Sequence, residues 1–356
     1  IKSFLNAVPQ DKLILLDYYC DYTEIWRDTE QYYGKPYIWC YLGNFGGNTF
    51  LAGDLNDVDF KIDRLFKEGG DNVYGLGVTL EGLDVNPLMY EFVFERAWEN
   101  SIPVHQWIAN WAQCRGGNVD NHIIKAWKQL YEKIYTSAAL CGQAVLMNAR
   151  PQLEGVEGWN TLPGYDYKNI DLWEIWKELL KAEGVYHSEY HFDVINVGRQ
   201  VLGNLFADYR DKFADCYRKK DLEGTKVWGQ RMDQLLLDVD RLLCCSPVLS
   251  IGKWIKDARD FAVNEQEQKY YANRGWGGLT RTFYRERWKR FTEEVIAAMT
   301  RHKNFDEEKF HQDITQFEYE WTLKNEDFPI TSGENPISLA KELILKYDDD
   351  FHSLYP

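Results

Sequence analysis

The hydrophobic period of this chain changes once, near residue 90, and that change limits what it can fold into. Before it lie three short, continuously apolar runs at residues 12–17, 36–42 and 73–80. Continuous rather than alternating apolar character predicts strands buried on both faces, as in a parallel sheet. Between the second and third runs, residues 57–68 read as a helix, with Val58, Ile62 and Leu65 at helical spacing. Strand, helix, strand is an α/β pattern. Three strands cannot close a barrel, so in a barrel the first strands would lie upstream of residue 1.

From about residue 90 onward the period is helical. Val194, Val197, Val201, Leu205, Tyr209 and Phe213 step by three or four, and so do Trp228, Met232, Leu235, Val239 and Leu242. Tyr284, Trp288, Phe291, Val295 and Met299 make a third apolar stripe. Asn86-Pro87 is a helix start signal, with Asn as cap and Pro at the first helical position. Residues 155–167 are rich in Gly, Pro, Thr and Tyr and read as a linker into an all-helical part.

Several function classes drop out on composition. The formal net charge is −15, which disfavours nucleic acid or an anionic membrane as partner. The one basic cluster, Arg281, Arg285, Arg287, Lys289 and Arg290, sits among aromatics and reads as a solvated helix face. No run of eighteen apolar residues exists, so no membrane span is predicted. The seven Cys form no CxxC pair, and most read as packing residues. His187 and His191 are four apart but lack a third ligand, so no metal site and no cofactor are expected. Gly75-Leu76-Gly77 lacks the third glycine of a dinucleotide fingerprint. Aromatics make up 15% of the chain, with 14 Trp. Most of these read as core bulk, and a few could line a sugar-binding cleft. The chain opens at Ile1 with neither an initiator Met nor a signal-peptide pattern, so it is expected to start inside a longer protein.

In α/β barrels the reactive groups sit at the carboxyl ends of strands. Here the three runs end in Asp17-Tyr18-Tyr19, in Gly43-Asn44-Phe45-Gly46-Gly47-Asn48, and in Glu81-Gly82. Glu81, after a strand and before a glycine, could attack an anomeric carbon. Spacing alone favours a carboxylate stabilised by the dipole of the helix that follows. Asp17 reads as a cap or loop anchor rather than a second catalytic carboxylate. Asn44 and Asn48 could bond sugar hydroxyls or simply form Asx turns.

Residues 37–48 (YIWCYLGNFGGN) and 75–82 (GLGVTLEG) resemble the alpha-N-acetylglucosaminidases, and the resemblance runs over nearly the whole chain. It implies an α/β plus all-α fold: the C-terminal part of a TIM-like (β/α)8 barrel over residues 1–155, then an all-helical domain over 156–356 that closes over the active site. It implies a retaining glycoside hydrolase releasing terminal, non-reducing alpha-linked N-acetylglucosamine, with Glu81 as nucleophile. Tyr18, Trp39, Asn44, Phe45 and Tyr271 are the implied substrate contacts. The family's acid/base glutamate lies in an Asn-Glu pair upstream of these residues, so the N-terminal half of the same enzyme is an expected partner, and this chain alone is expected to be inactive. A secreted, periplasmic or lysosomal location is implied by the resemblance only. Two departures stand out. A Trp-Gly stretch expected before Tyr271-Ala272-Asn273 is missing, and Gly43 replaces a His found in some members. The competing reading is a non-catalytic carbohydrate-binding or structural helical module with a barrel remnant.

Overall fold

The computed structural model describes every residue except 44–49, 82–85, 100, 138–144, 157–165, 253, 255–273, 325 and 356. The first part begins with short helix α1 (Lys2–Asn6) and strand β1 (Leu15–Asp17). Two short turns follow, α2 (Ile25–Asp28) and α3 (Glu30–Tyr33), then β2 (Tyr37–Tyr41), β3 (Gly53–Asp54), helix α4 (Leu55–Glu68) and β4 (Val73–Val78). β1, β2 and β4 form one parallel sheet in that order, pairing Asp17 with Trp39 and Trp39 with Leu76. The expected helix is present two residues earlier than the periodicity predicts, because Asp54 caps it by accepting from the Asp57 amide at 2.9 Å.

Burial on both faces holds only for the central strand. Tyr37, Trp39, Cys40 and Tyr41 of β2 are buried, whereas Leu16 of β1 is 58% exposed and Tyr74 of β4 is 63% exposed. Among the described residues, no strand pairs with the outer edges of β1 and β4. The two flanking strands are therefore only partly covered: Leu15, Val73, Leu76 and Val78 pack against the core, while Leu16 and Tyr74 face outward.

One turn departs from anything the sequence announces. Glu30, Gln31, Tyr32 and Tyr33 all have φ between 49° and 55°, a single left-handed turn built without glycine. Left-handed backbone costs roughly 1–2 kcal/mol per non-glycine residue. Neighbours hold it in place: Thr29 accepts from the Tyr32 amide, and Asn72 donates to the carbonyls of Gln31 (2.8 Å) and Lys35 (2.6 Å).

Helix α5 (Pro87–Arg96) begins at Asn86, with Pro87 in the first turn. The Asn86 side chain does not cap it. Its amide nitrogen donates to the Ala52 carbonyl, and its oxygen accepts from the Tyr135 hydroxyl at 3.2 Å. Helices α6 (Val104–Gly116) and α7 (Asn121–Lys133) follow, and β5 (Thr136–Ser137) returns to pair antiparallel with β3. Beyond them lie α8 (Asn169–Leu179), α9 (Ser188–Arg218), α10 (Leu222–Leu243), α11 (Arg285–Thr300), α12 (Glu307–Leu323) and α13 (Pro336–Leu354). Residues 280–284 form a wide π turn leading into α11.

The 31-residue α9 is the hub of this helical part. Gly198 lets Trp176 of α8 lie against its backbone: a β-carbon there would meet the indole at 2.4 Å. Trp176 donates from its ring nitrogen to the Val194 carbonyl at 2.9 Å, so the bulk is packed without an orphaned donor. Trp26, Trp39, Trp173, Trp176 and Trp288 are all fully buried, which assigns much of the tryptophan content to the core. The basic cluster is not uniformly solvated. Arg287 is buried, paired with Glu318 at 3.2 Å and donating to the carbonyls of Asn148 and Ala149. A buried guanidinium needs such partners to offset its lost hydration.

Candidate active site

Because the three strands run parallel, their carboxyl ends share one rim. Tyr18 follows β1, Leu42 and Gly43 follow β2, and Thr79 to Glu81 follow β4. The rim is cross-linked through the main chain. The Thr79 amide donates to the Tyr41 carbonyl at 2.9 Å, and the Thr79 hydroxyl donates to the Tyr18 carbonyl. The Cys20 amide donates to the Cys40 carbonyl at 2.9 Å. Tyr18 and Glu81 are both exposed here, and the Tyr18 ring lies 4.6 Å from that of Tyr19. Glu81 sits in the bend after β4, where its main-chain carbonyl accepts from Arg274 Nη2 at 3.0 Å. That arginine lies 193 residues further along the chain, so the helical part reaches the turn that carries the glutamate.

Three carboxylates near this rim do structural work. Asp17 is buried and accepts from the Trp26 amide at 2.8 Å, anchoring the start of α2. Burial pushes its pKa up, and the bonds it accepts pull part of the way back. Glu24 is buried and accepts from the ring nitrogens of Trp26 (3.1 Å) and Trp39 (3.4 Å), with Arg64 as its ion-pair partner. Asp21 is buried and spans two amides, Leu42 N at 3.0 Å and Gly43 N at 2.9 Å. It therefore holds the chain where β2 ends and the Gly43-to-Asn48 segment begins.

These contacts sort the expected site residues. Tyr18 and Glu81 share the rim. Trp39 does not belong with them: its side chain is fully buried and bonded to Glu24, so it packs beneath the rim and offers no face to a ligand. Asn44, Phe45 and Tyr271 lie outside the described residues. Asp21 and Arg274 escaped the sequence reading. An aspartate four residues past a strand end is a weak signal, and Arg274 carries none, because its partner is a main-chain carbonyl far away in sequence. Among the described residues, no group of three His, Cys, Asp or Glu could hold a metal ion. His187 Nδ1 instead faces the Glu189 carboxylate at 2.7 Å.

The fold is that of solved glycoside hydrolases of family 89. The Clostridium perfringens member in complex with 2-acetamido-1,2-dideoxynojirmycin superposes with a TM-score of 0.85 at 22% identity, over 97% of this chain and 43% of that one. The structure of that organism's family 89 hydrolase in complex with PUGNAc gives 0.83 at 22% identity, over 95% and 42%. A form with two Glu-to-Gln substitutions, in complex with its substrate GlcNAc-alpha-1,4-galactose, gives 0.84 at 21% identity. The family model for the alpha-N-acetylglucosaminidase (NAGLU) C-terminal domain matches residues 107–271 and 268–346, and the tim-barrel domain model matches residues 1–100. The chain belongs to the alpha-N-acetylglucosaminidase family. Human alpha-N-acetylglucosaminidase is 26% identical over 374 residues, covering 98% of this chain and 50% of the human protein. The chain thus spans about half the length of the curated relative it matches.

Proposed function

We propose that this chain supplies the nucleophile side of a retaining glycosidase that releases terminal alpha-linked N-acetylglucosamine. The observation that carries the reading is the exposed Glu81 at the carboxyl end of a parallel strand, on one rim with Tyr18. That is where α/β barrels keep their reactive groups. In this reading β1, β2 and β4 are strands of a TIM-like barrel whose remaining strands come from outside these 356 residues. The uncovered edges of β1 and β4 and the exposed Leu16 and Tyr74 fit such a completion. The barrel portion extends to about residue 155, supported by β5 pairing with β3 and by Tyr131 donating to Asn56 at 2.7 Å.

Glu81 attacks the anomeric carbon to form a glycosyl-enzyme, while a glutamate elsewhere in the polypeptide protonates the leaving oxygen. Water then releases the sugar with that second glutamate acting as base. Tyr18, Asn44, Phe45 and Tyr271 are the proposed sugar contacts. The test uses the full-length gene product and an aryl alpha-N-acetylglucosaminide with a good leaving group. Glu81→Ala should lose several orders of magnitude in kcat, and azide should restore turnover and yield the beta-configured glycosyl azide. Near-normal activity in Glu81→Ala would reduce Glu81 to a structural strand-end residue.

A further inference from the structure

We infer that Arg274 is a positioning residue for Glu81: a cationic latch from the helical part that fixes the turn carrying the nucleophile. This rests on the reading of Glu81 given above. Its starting point is the bond from Arg274 Nη2 to the Glu81 carbonyl at 3.0 Å. A charged donor on a carbonyl is stronger and more directional than a neutral one. The guanidinium also lies 5.4 Å from the centre of the Trp276 ring, which stacks on Trp254 at 6.0 Å with 17° between planes. The arginine is thus held on one side by an aromatic face and directed at the Glu81 turn.

The far end of this latch is built in rigidly. The Gly277 amide donates to the Leu249 carbonyl at 2.7 Å, and the Ile251 amide returns a bond to the Gly277 carbonyl at 3.0 Å. The buried Asp240 accepts from the amides of Gly278 (2.7 Å) and Arg281 (2.9 Å). A β-carbon on Gly277 would meet the Cys244 sulfur at 2.5 Å, so this strand of chain is pressed against the end of α10. On the sheet side, the two bonds of Thr79 fix the exit of β4 two residues before Glu81. The Glu81 turn is therefore gripped from both parts of the molecule, and the arginine grip acts on Glu81 itself.

Attack on an anomeric carbon depends on placement, and a misplacement of about 1 Å can cost on the order of 100-fold in rate. In the full-length gene product, Arg274→Ala should lower kcat by roughly 10- to 100-fold with KM within about threefold. Arg274→Lys should recover part of this, since it keeps the charge but not the planar fork. Trp276→Leu should shift kcat the same way by a few-fold. The discriminating measurement is made in the Glu81→Ala background with azide. Azide needs no protein turn to place it, so adding Arg274→Ala should leave the azide-rescued rate within about twofold. A wild-type kcat in Arg274→Ala overturns the inference. So does an equal loss in the azide-rescued rate, which would mean that Arg274 acts on the substrate or the fold. If Arg274→Ala does not fold, wild-type kcat in both Arg274→Lys and Trp276→Leu overturns it instead. Glu81→Ala with near-normal activity overturns both this inference and the nucleophile reading, whereas an azide-rescued Glu81→Ala beside an undisturbed Arg274→Ala overturns this one alone.

Discussion

Asp21 closes the end of β2, and removing its carboxylate should release Leu42 and Gly43. The Leu42 and Gly43 amides lie just beyond the parallel ladder, and both donate to Asp21 instead. Leu42 is fully buried, so water cannot readily replace the lost acceptor. Hydrogen bonds to a charged group contribute about 1.5–3 kcal/mol each. Burial itself raises the pKa of Asp21, which sets a desolvation cost against those bonds. The net local loss for Asp21→Ala should then be about 2–4 kcal/mol. At about 1.4 kcal/mol per factor of ten, hydrogen exchange of the two amides should accelerate roughly 30- to 700-fold.

Asp21→Asn keeps one acceptor oxygen and should protect one amide, giving an intermediate rate. Exchange read on peptides covering residues 37–43 measures this directly. The Tyr37 amide, which donates to the Asn72 carbonyl at 3.0 Å, serves as an internal control at the other end of the strand. Unchanged protection at residues 42 and 43 in Asp21→Ala, with the protein still folded, would refute the reasoning. It would mean that neighbouring contacts such as the Tyr90 hydroxyl on the Leu42 carbonyl hold the segment unaided.

Three further perturbations test the energetics elsewhere. Arg115 and Asp193 form a buried pair between α6 and α9, with Arg115 Nε 2.7 Å from Asp193 Oδ2, so Asp193→Ala should destabilise by about 3 kcal/mol in a denaturation series. The double replacement Arg115→Met with Asp193→Leu should recover most of that, because it leaves no unpaired charge. Glu178 is buried, which pushes its pKa up, yet bonds from Lys181, His122 and Lys125 outweigh this and bring it down to about 2. A lowered carboxylate contributes stability that is present above its unfolded pKa and lost as pH falls toward 2. Wild type should therefore lose about 2 kcal/mol more than Glu178→Gln between pH 5 and 2, after discounting for the solvent-exposed partner side chains. Glu30→Gly should raise stability by about 0.5–1 kcal/mol, since glycine relieves the left-handed turn but loses more entropy on folding. A lower melting midpoint for that variant would show the turn to be unstrained.

The periodicities were legible because they report burial directly. The stripe from Val194 to Phe213 lies wholly inside α9, and Val58, Ile62 and Leu65 are the buried face of α4. What the pattern missed were features decided by a distant partner. Asn86 has the right type and place for a cap, but the Ala52 carbonyl and Tyr135 hydroxyl compete for its side chain. Arg287 reads as one more solvated base until Glu318 and two carbonyls close around it. Trp39 sits in a motif associated with a sugar site, yet its indole is bonded to a buried carboxylate under the sheet. The left-handed turn at residues 30–33 contains no glycine or asparagine, so no local propensity announces it.

The same distant pairings explain why the helical part bears on the rim. Leu42 and Gly43, just after β2, are fixed by Asp21 from within the α/β part. The Leu51 amide donates to Gln200 Oε1 at 3.2 Å, and Gln200 lies in the buried middle of α9. Gln200 donates in turn to Asn204 at 2.9 Å, and Asn204 donates to Asn169 at 3.1 Å, at the start of α8. Buried polar chains of this kind are costly unless every member is satisfied, and a satisfied chain fixes one arrangement among many. A purely apolar contact between α9 and Leu51 would exclude water equally well but would not fix the direction of its amide. The Arg274 bond to the Glu81 turn follows the same logic on the neighbouring strand. Leu51 and Glu81 are thus each referenced to the helical part through a directional polar bond, so displacement of that part would move both.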